Sequence, residues 1–496
     1  MTEHLVIIGG DAAGMTAASQ ARRRRGPDEL RITAFERGSM TSYSACGIPY
    51  WVGGEVADPA ELIARTPEQH RARGIDLRTR TEVMELDPVG RRVRGRDLVS
   101  GAEAWTAYDQ LVIATGAEPV RPELPGFDAP GVHTVHTLPQ GQALLEGMAA
   151  LATNAGAGAG GDAGGGGGGG AGAGVGGDAG AGAGARVGAG GRRAVVVGGG
   201  YIGIEMAEAM LLRGYRVTLV HRTPEPMPGL DPDLGALIRQ GMTELGIEVV
   251  PGAEATEVLL GPDGRPRAVR STAGDHPADL VVLGLGVRPR TALARAAGLH
   301  LGPKGGLRTD ERMRVLDADG EPVPGLWAGG DCVEVRHLVT GRHQHIPLGT
   351  HANKHGLVIG SNLGGEDASF PGVVGTAITR FRGLEIARTG LNEREATAAG
   401  LDWTAAVVES TARAGYYPDA ESMTVKLLAE RGSGRLLGLQ IVGGAGAAKR
   451  IDVAAVALSC RLTVRELLFQ DLAYAPPFSP VWDPVLVAAR KAVTRI

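Results

Sequence analysis

Ala194-Val195-Val196-Val197-Gly198-Gly199-Gly200-Tyr201-Ile202-Gly203 is the stretch that decides the fold. Its apolar, β-branched run reads as a buried parallel strand, and glycines at the first, third and sixth fingerprint positions follow directly. Gly198 permits the tight turn, Gly200 lets a pyrophosphate approach the backbone, and Gly203 lets helix and strand pack closely. Amides at the N-terminus of the helix that follows are placed to bind phosphate. Val217-Thr218-Leu219-Val220 supplies the next strand and closes a βαβ unit.

Working outward, a like unit opens the chain. Leu5-Val6-Ile7-Ile8 is a strand, Gly9-Gly10-Asp11-Ala12-Ala13-Gly14 the turn, Met15 to about Arg25 the helix, and Arg31 to Glu36 the next strand. Asp11 stands where the middle glycine belongs, which also suits a helix N-cap. Glu36 ends the second strand, where an acid binds a ribose diol. The matching place in the second unit holds His221 and then Arg222. A cationic pair there accepts a 2′-phosphate, so the pattern favours NADPH over NADH. Both residues are equally readable as ordinary exposed strand ends.

The 496 residues allow several domains and a large core. A formal net charge of −4 argues against a nucleic-acid-binding surface. No apolar run is long enough to span a bilayer, and Met1-Thr2-Glu3-His4 leads straight into a strand without a signal peptide. The only cysteines, Cys46, Cys332 and Cys460, suit a reducing, cytoplasmic setting better than a disulfide scaffold. No His/Cys cluster has metal-ligand spacing. Residues 153–192 are almost wholly Gly and Ala and read as a disordered insertion.

Cys46 sits in Ser42-Tyr43-Ser44-Ala45-Cys46-Gly47-Ile48-Pro49-Tyr50, and the position five residues on is Trp51. A flavin nearby is thus offered one thiol rather than a pair. Such a thiol cycles as a mixed disulfide with a small thiol or as a sulfenic acid. Proximity to a helix N-terminus is expected to lower its pKa. Cys332 and Cys460, in apolar stretches, read as inert buried thiols. Two nucleotide units with a thiol behind the first imply two cofactors, FAD on the first and NADPH or NADH on the second.

Together these residues resemble the pyridine nucleotide-disulfide oxidoreductase superfamily in its single-cysteine branch, nearest to coenzyme A disulfide reductases and NAD(P)H oxidases. Ala114-Thr115-Gly116, Gly284 to Pro289, Trp327 to Asp331, Leu348 to Lys354 and Asp471 to Ser479 add to the match. The resemblance implies an α/β fold with two Rossmann-like dinucleotide-binding domains and a C-terminal α+β dimerisation domain. In that scheme residues 1–125 and 291–375 bind FAD, 126–152 connect, 193–290 bind NAD(P)H and 376–496 dimerise. It places Gly9, Gly10, Ala13, Gly14, Glu36, Arg37, Ser42, Thr115, Gly116, Gly330 and Asp331 at FAD. Gly198, Gly200, Tyr201, Gly203, His221, Arg222 and Gly286 fall at the nicotinamide nucleotide, and Gln20 and Arg23 at coenzyme A.

The resemblance further implies a homodimer in which Tyr474, with Tyr416 or Tyr417, completes the partner's site. A phenol there donates a proton to the departing thiolate. Ala12, where the oxidases carry a histidine, disfavours the oxidase reading, whereas Ala45 departs from the asparagine common in the reductases. No rhodanese-like domain follows, which sets aside the fused persulfide-handling variants. The expectation is an FAD-dependent NAD(P)H reductase of a small-molecule disulfide, foremost coenzyme A disulfide. The alternatives are an NAD(P)H oxidase or peroxidase and a flavoprotein electron-transfer partner.

Overall fold

The computed structural model describes residues 2–157 and 191–496. Most of the Gly/Ala-rich segment expected to be disordered lies outside the described residues.

The first apolar run forms the strand Glu3–Ile8 at the centre of a six-stranded sheet. Its neighbours are Leu30–Phe35 and Gln110–Ile113, both parallel to it, and Pro322–Ala328 continues the parallel order beyond Gln110–Ile113. Parallel strands are covered on both faces, which accounts for the unbroken apolar runs. Leu5, Val6, Ile7, Leu111 and Val112 are fully buried. Each such side chain contributes roughly 1.5–3 kcal/mol of burial free energy.

One face is covered by two helices, Ala12–Arg24 and Gly349–Leu363. They touch through small residues: a Cβ on Gly356 would stand 2.4 Å from the Ala13 carbonyl oxygen, and one on Gly360 would stand 2.5 Å from that of Ala17. Strands from residues 3–113 and from 322–328 thus build one domain, interrupted by another.

The interrupting domain has a parallel five-stranded sheet in the order Glu248–Pro251, Arg216–His221, Arg193–Val197, Leu280–Leu283, Val132–Thr134. Residues 126–152, read from sequence as a connection, therefore supply an edge strand to this sheet and most of the helix Leu138–Ala157. The edge strand is three residues long, too short for its alternation to register as a pattern.

From Ala377 an antiparallel five-stranded sheet follows, with helices Ile451–Ser459 and Pro484–Val493 packed against it. Its strand Leu436–Gly443 is buried along its whole length.

Candidate active site

The turn after the first strand closes tightly on its neighbours. Gly9 has φ +109°, and a Cβ there would stand 2.0 Å from the Ala114 carbonyl oxygen. A Cβ on Gly14 would stand 2.0 Å from the carbonyl oxygen of Gly9. Only glycine fits either place. Glu36, at the end of the second strand, accepts hydrogen bonds from the Gly10 amide (2.8 Å) and the Gly38 amide (2.6 Å). Arg37 points to Glu82, 3.6 Å away.

Asp11 does occupy the N-cap position but makes no capping hydrogen bond, and its Oδ1 is buried without a partner. Burial, and then the charges of Glu36 and Asp331, push its pKa up to about 6. Burial also raises Asp331. Ala13 lies against Gly330, whose φ is +81°. The Thr115 hydroxyl is already committed, donating to the Arg290 carbonyl at 2.6 Å, and Gly116 beside it takes φ +68°.

Three carboxyl groups sharing this crevice, with an orphaned oxygen among them, suit a polyhydroxylated ligand that donates hydrogen bonds. These residues fit FAD: Glu36 would hold the adenosine ribose, Asp331 the ribityl chain, and the turn amides the pyrophosphate.

The second fingerprint has the same construction. Gly198 has φ +111°, and a Cβ on Gly203 would stand 1.8 Å from its carbonyl oxygen. Gly200, by contrast, has no atom within 4 Å of where a Cβ would lie, and Gly286 is likewise open. The turn is closed toward the protein and open where a pyrophosphate would come. Tyr201 begins the helix Tyr201–Leu212, and burial pushes its pKa up to about 12.

His221 corrects the expected cationic pair. It is buried, packs under Gly199, has an unpartnered Nε2, and burial lowers its pKa. An imidazole in that setting is neutral at pH 7. Arg222 alone is exposed there.

Cys46 lies in the short turn of 3-10 helix Ala45–Gly47, directly before the helix Ile48–Gly53. Its thiol is accessible. The expected lowering of its pKa does not hold. Desolvation, then the charges of Glu205 and Asp331, raise it above the ordinary thiol value, and only the residue's own amide opposes them. A six-residue helix offers too little dipole to win against two carboxylates. Trp51, in the place of a second cysteine, is buried in the core. Cys332 is buried as expected, its thiol donating toward the carbonyls of Ile113 and Gly329. Cys460 is not: it is exposed just past the end of the helix Ile451–Ser459.

Four residues before Cys46, Ser42 takes φ +49°, and its hydroxyl lies 3.0 Å from His70 Nε2. Burial and the charges of Arg65 and Arg73 push His70 down to about 4. Arg65 in turn feels Arg73 and Arg23. An arginine cluster therefore adjoins Ser42, of which only Arg23 was recognisable in the sequence. Gln20 is buried, its amide donating to Ser361 Oγ at 3.0 Å while its oxygen accepts from Arg23 at 3.1 Å. It orients Arg23 instead of facing a ligand.

Tyr416 and Tyr474 lie near enough on the dimerisation domain for Tyr474 to raise the Tyr416 pKa, and both are exposed. Tyr417 turns away, with Arg413 over its ring at 5.9 Å.

The family models agree with this geometry. Residues 3–356 match the pyridine nucleotide-disulphide oxidoreductase model, and residues 376–484 match the dimerisation domain of the same family. The chain belongs to the pyridine nucleotide-disulphide oxidoreductases. As a member it is an FAD-dependent NAD(P)H oxidoreductase. The NAD(P)H sulfur oxidoreductase (CoA-dependent) of Pyrococcus abyssi is 36% identical over 98% of this chain and 97% of its own. The NAD(P)H coenzyme A polysulfide/persulfide reductase of Pyrococcus horikoshii is 35% identical over 99% and 98%. An NADH oxidase of Methanocaldococcus jannaschii is 31% identical over 99% of each chain. Among solved structures, the NAD-dependent persulfide reductase from A. fulgidus superposes with a TM-score of 0.87 at 35% identity, covering 99% of this chain and 83% of that one. Among the described residues no helix is long and apolar enough to cross a membrane.

Three groups of this oxidoreductase's site escaped the sequence reading: Glu205, the His70–Arg65–Arg73 cluster, and Thr379. Glu205 alone had a local signal, a carboxylate one turn into a nucleotide-binding helix that is apolar apart from it and Glu208.

Proposed function

We propose that this oxidoreductase reduces a sulfur–sulfur bond carried on coenzyme A, as the disulfide or the persulfide, with Cys46 as its one reacting thiol. The supporting observation is an accessible Cys46 on the same short segment as Ser42, whose hydroxyl meets His70 within reach of the charges of Arg65 and Arg73. Guanidinium groups recognise the phosphates of such a carrier, and the lone thiol takes up its sulfur. The relatives named for CoA-dependent sulfur and persulfide reduction support the same reading.

The Cys46 thiolate attacks the substrate's S–S bond, forming a mixed disulfide and expelling one thiolate. Bound FAD would supply the two electrons of NAD(P)H that cleave this mixed disulfide, so that the Cys46 thiolate returns and the second thiol leaves. Tyr474, with Tyr416 near it, gives the leaving sulfur a proton or hydrogen bond. In sum, NAD(P)H, one proton and the disulfide yield NAD(P)⁺ and two thiols.

The tyrosines act from the second copy of a homodimer. Phe469 (77% exposed) and Phe478 (76%) flank Tyr474 in the chain, apolar side chains that a second copy would bury. A cytoplasmic setting suits the free thiols. Arg222 can take a 2′-phosphate by itself, with His221 neutral beneath it, so NADPH and NADH both stay usable.

The test follows NAD(P)H oxidation under nitrogen, with and without coenzyme A disulfide or persulfide, in the wild type and Cys46→Ser. Turnover that needs both the sulfur substrate and Cys46 is expected. Turnover that starts only when oxygen enters would move the protein to the oxidase reading, which the M. jannaschii relative favours.

A further inference from the structure

Two imidazoles grip the turn that carries Asp331, in opposite senses. The strand Pro322–Ala328 ends there, and Gly329, Gly330 and Asp331 lead out of it. The Gly330 amide donates to His355 Nδ1 at 3.1 Å, a contact buried from solvent. One residue on, the Asp331 carbonyl accepts from His345 Nε2 at 2.8 Å. His355 comes from the helix Gly349–Leu363, and His345 follows the short strand His343–Gln344. Backbone bonds complete the turn: the Gly329 amide donates to the Ile113 carbonyl at 3.1 Å, and the Val333 amide to the Gly330 carbonyl at 3.3 Å.

The partner fixes the role of each ring. A backbone amide only donates, so His355 Nδ1 is bare and the ring proton sits on Nε2. That Nε2 is buried without a partner, so the Gly330 amide is the one hydrogen bond this imidazole makes among the described residues. Phe370 stands edge to face with the ring, centroids 4.5 Å apart, and holds its plane. A carbonyl only accepts, so His345 Nε2 carries a proton. Gly330 takes φ +81°, and a Cβ there would stand 3.1 Å from Ala13 Cβ, so the turn abuts the first fingerprint. The Asp331 carboxyl itself takes no hydrogen bond among the described residues.

We propose that His355 and His345 are positioning residues for FAD: one accepting and one donating, they lock the backbone of the Gly330-Asp331 turn so that the Asp331 carboxyl is presented to the ribityl chain. The physical ground is that glycine leaves a backbone free to turn. Held at the Gly330 N–H and at the Asp331 C=O, the peptides on both sides of that pair cannot rotate, which fixes the direction of the Asp331 side chain. The inference rests on the placing of Asp331 at FAD and not on the chemistry of Cys46.

The experiment measures the rate of FAD release from the holoenzyme, by recovery of flavin fluorescence, with methionine and glutamine in turn at each position. His355→Met leaves the Gly330 amide buried and unpaired, and His345→Met takes the donor from the Asp331 carbonyl. Each is expected to release FAD on the order of tenfold faster than wild type. Glutamine carries both an acceptor oxygen and a donor amide, so His355→Gln and His345→Gln should stay within about threefold of wild type. A role in packing alone would not favour glutamine over methionine. Asp331→Ala should also release FAD faster, and adding His355→Met to it should cost less than His355→Met does alone. Unchanged release in both methionine variants, glutamine as damaging as methionine, or strict additivity with Asp331→Ala overturns the proposal. Fast release in His355→Met beside unchanged release in Asp331→Ala would overturn it by a different route, removing Asp331 from the ribityl chain. None of these outcomes touches the reductase reading, since FAD release needs no turnover.

Discussion

Lys426→Met should loosen the NAD(P)H domain from the dimerisation domain. Lys426 lies on the strand Ser422–Glu430 with its side chain 4% exposed, and its Nζ meets three carboxylates: Asp233 at 2.9 Å, Glu393 at 2.8 Å and Asp231 at 3.2 Å. Asp231 and Asp233 begin the helix Pro232–Glu244 of the nucleotide domain, so the ammonium bridges two domains. Burial alone would lower the lysine pKa, but the hydrogen bonds it donates to Glu393 and Asp233 and the charge of Asp231 outweigh it, and the net shift is upward.

Removing the cation strands Asp231, whose side chain is 2% exposed. A buried pair broken on one side costs about 3–5 kcal/mol. Asp231 keeps two neutral donors, Gln440 Nε2 at 2.7 Å and the Glu393 amide at 2.9 Å, which places the cost near the lower bound, about 3 kcal/mol. That is about two powers of ten in the equilibrium that separates the domains. Guanidinium titration of the FAD-loaded protein, read at its first transition, would show the loss. Adding Asp231→Asn to Lys426→Met should restore part of it, because the stranded charge is gone. A single-variant cost below about 1 kcal/mol, the range of an exposed ion pair, or strict additivity of the pair would refute the reasoning.

Gly203→Ala would place a Cβ 1.8 Å from the Gly198 carbonyl oxygen, backbone that cannot step aside. NAD(P)H binding by titration should weaken by tenfold or more, about 1.4 kcal/mol, while bound FAD persists; equal loss of both would show that the two nucleotide sites are not separable. Arg222→Glu should raise KM for NADPH several-fold over KM for NADH, since an acid repels a 2′-phosphate. An unchanged ratio would remove Arg222 from nucleotide selection.

The two nucleotide folds were legible because their information is local. Strand, turn and helix are contiguous, and the tight approach at Gly203 shows in the spacing of glycines before any coordinates exist. The strand Val132–Thr134 was not legible, since three residues carry no period and its partner strand begins at Leu280. His221 misled for a related reason. A strand end is exposed by default, and only the packing under Gly199 makes this one buried and neutral. Cys460 erred in the other direction, apolar neighbours suggesting burial for a residue that caps an exposed helix end.

The reacting thiol shows most clearly where sequence reading stops. Cys46 itself stands out by its neighbours, yet what decides its chemistry comes from residues far along the chain. Glu205 is brought to it by one domain and Asp331 by the second half of another, while the hydroxyl holding Glu205 comes from the third. Helix-dipole reasoning applied to the local segment gave a lowered pKa, and two distant carboxylates reversed the sign. A thiol raised in this way moves toward its thiolate only when the balance of charge around it changes.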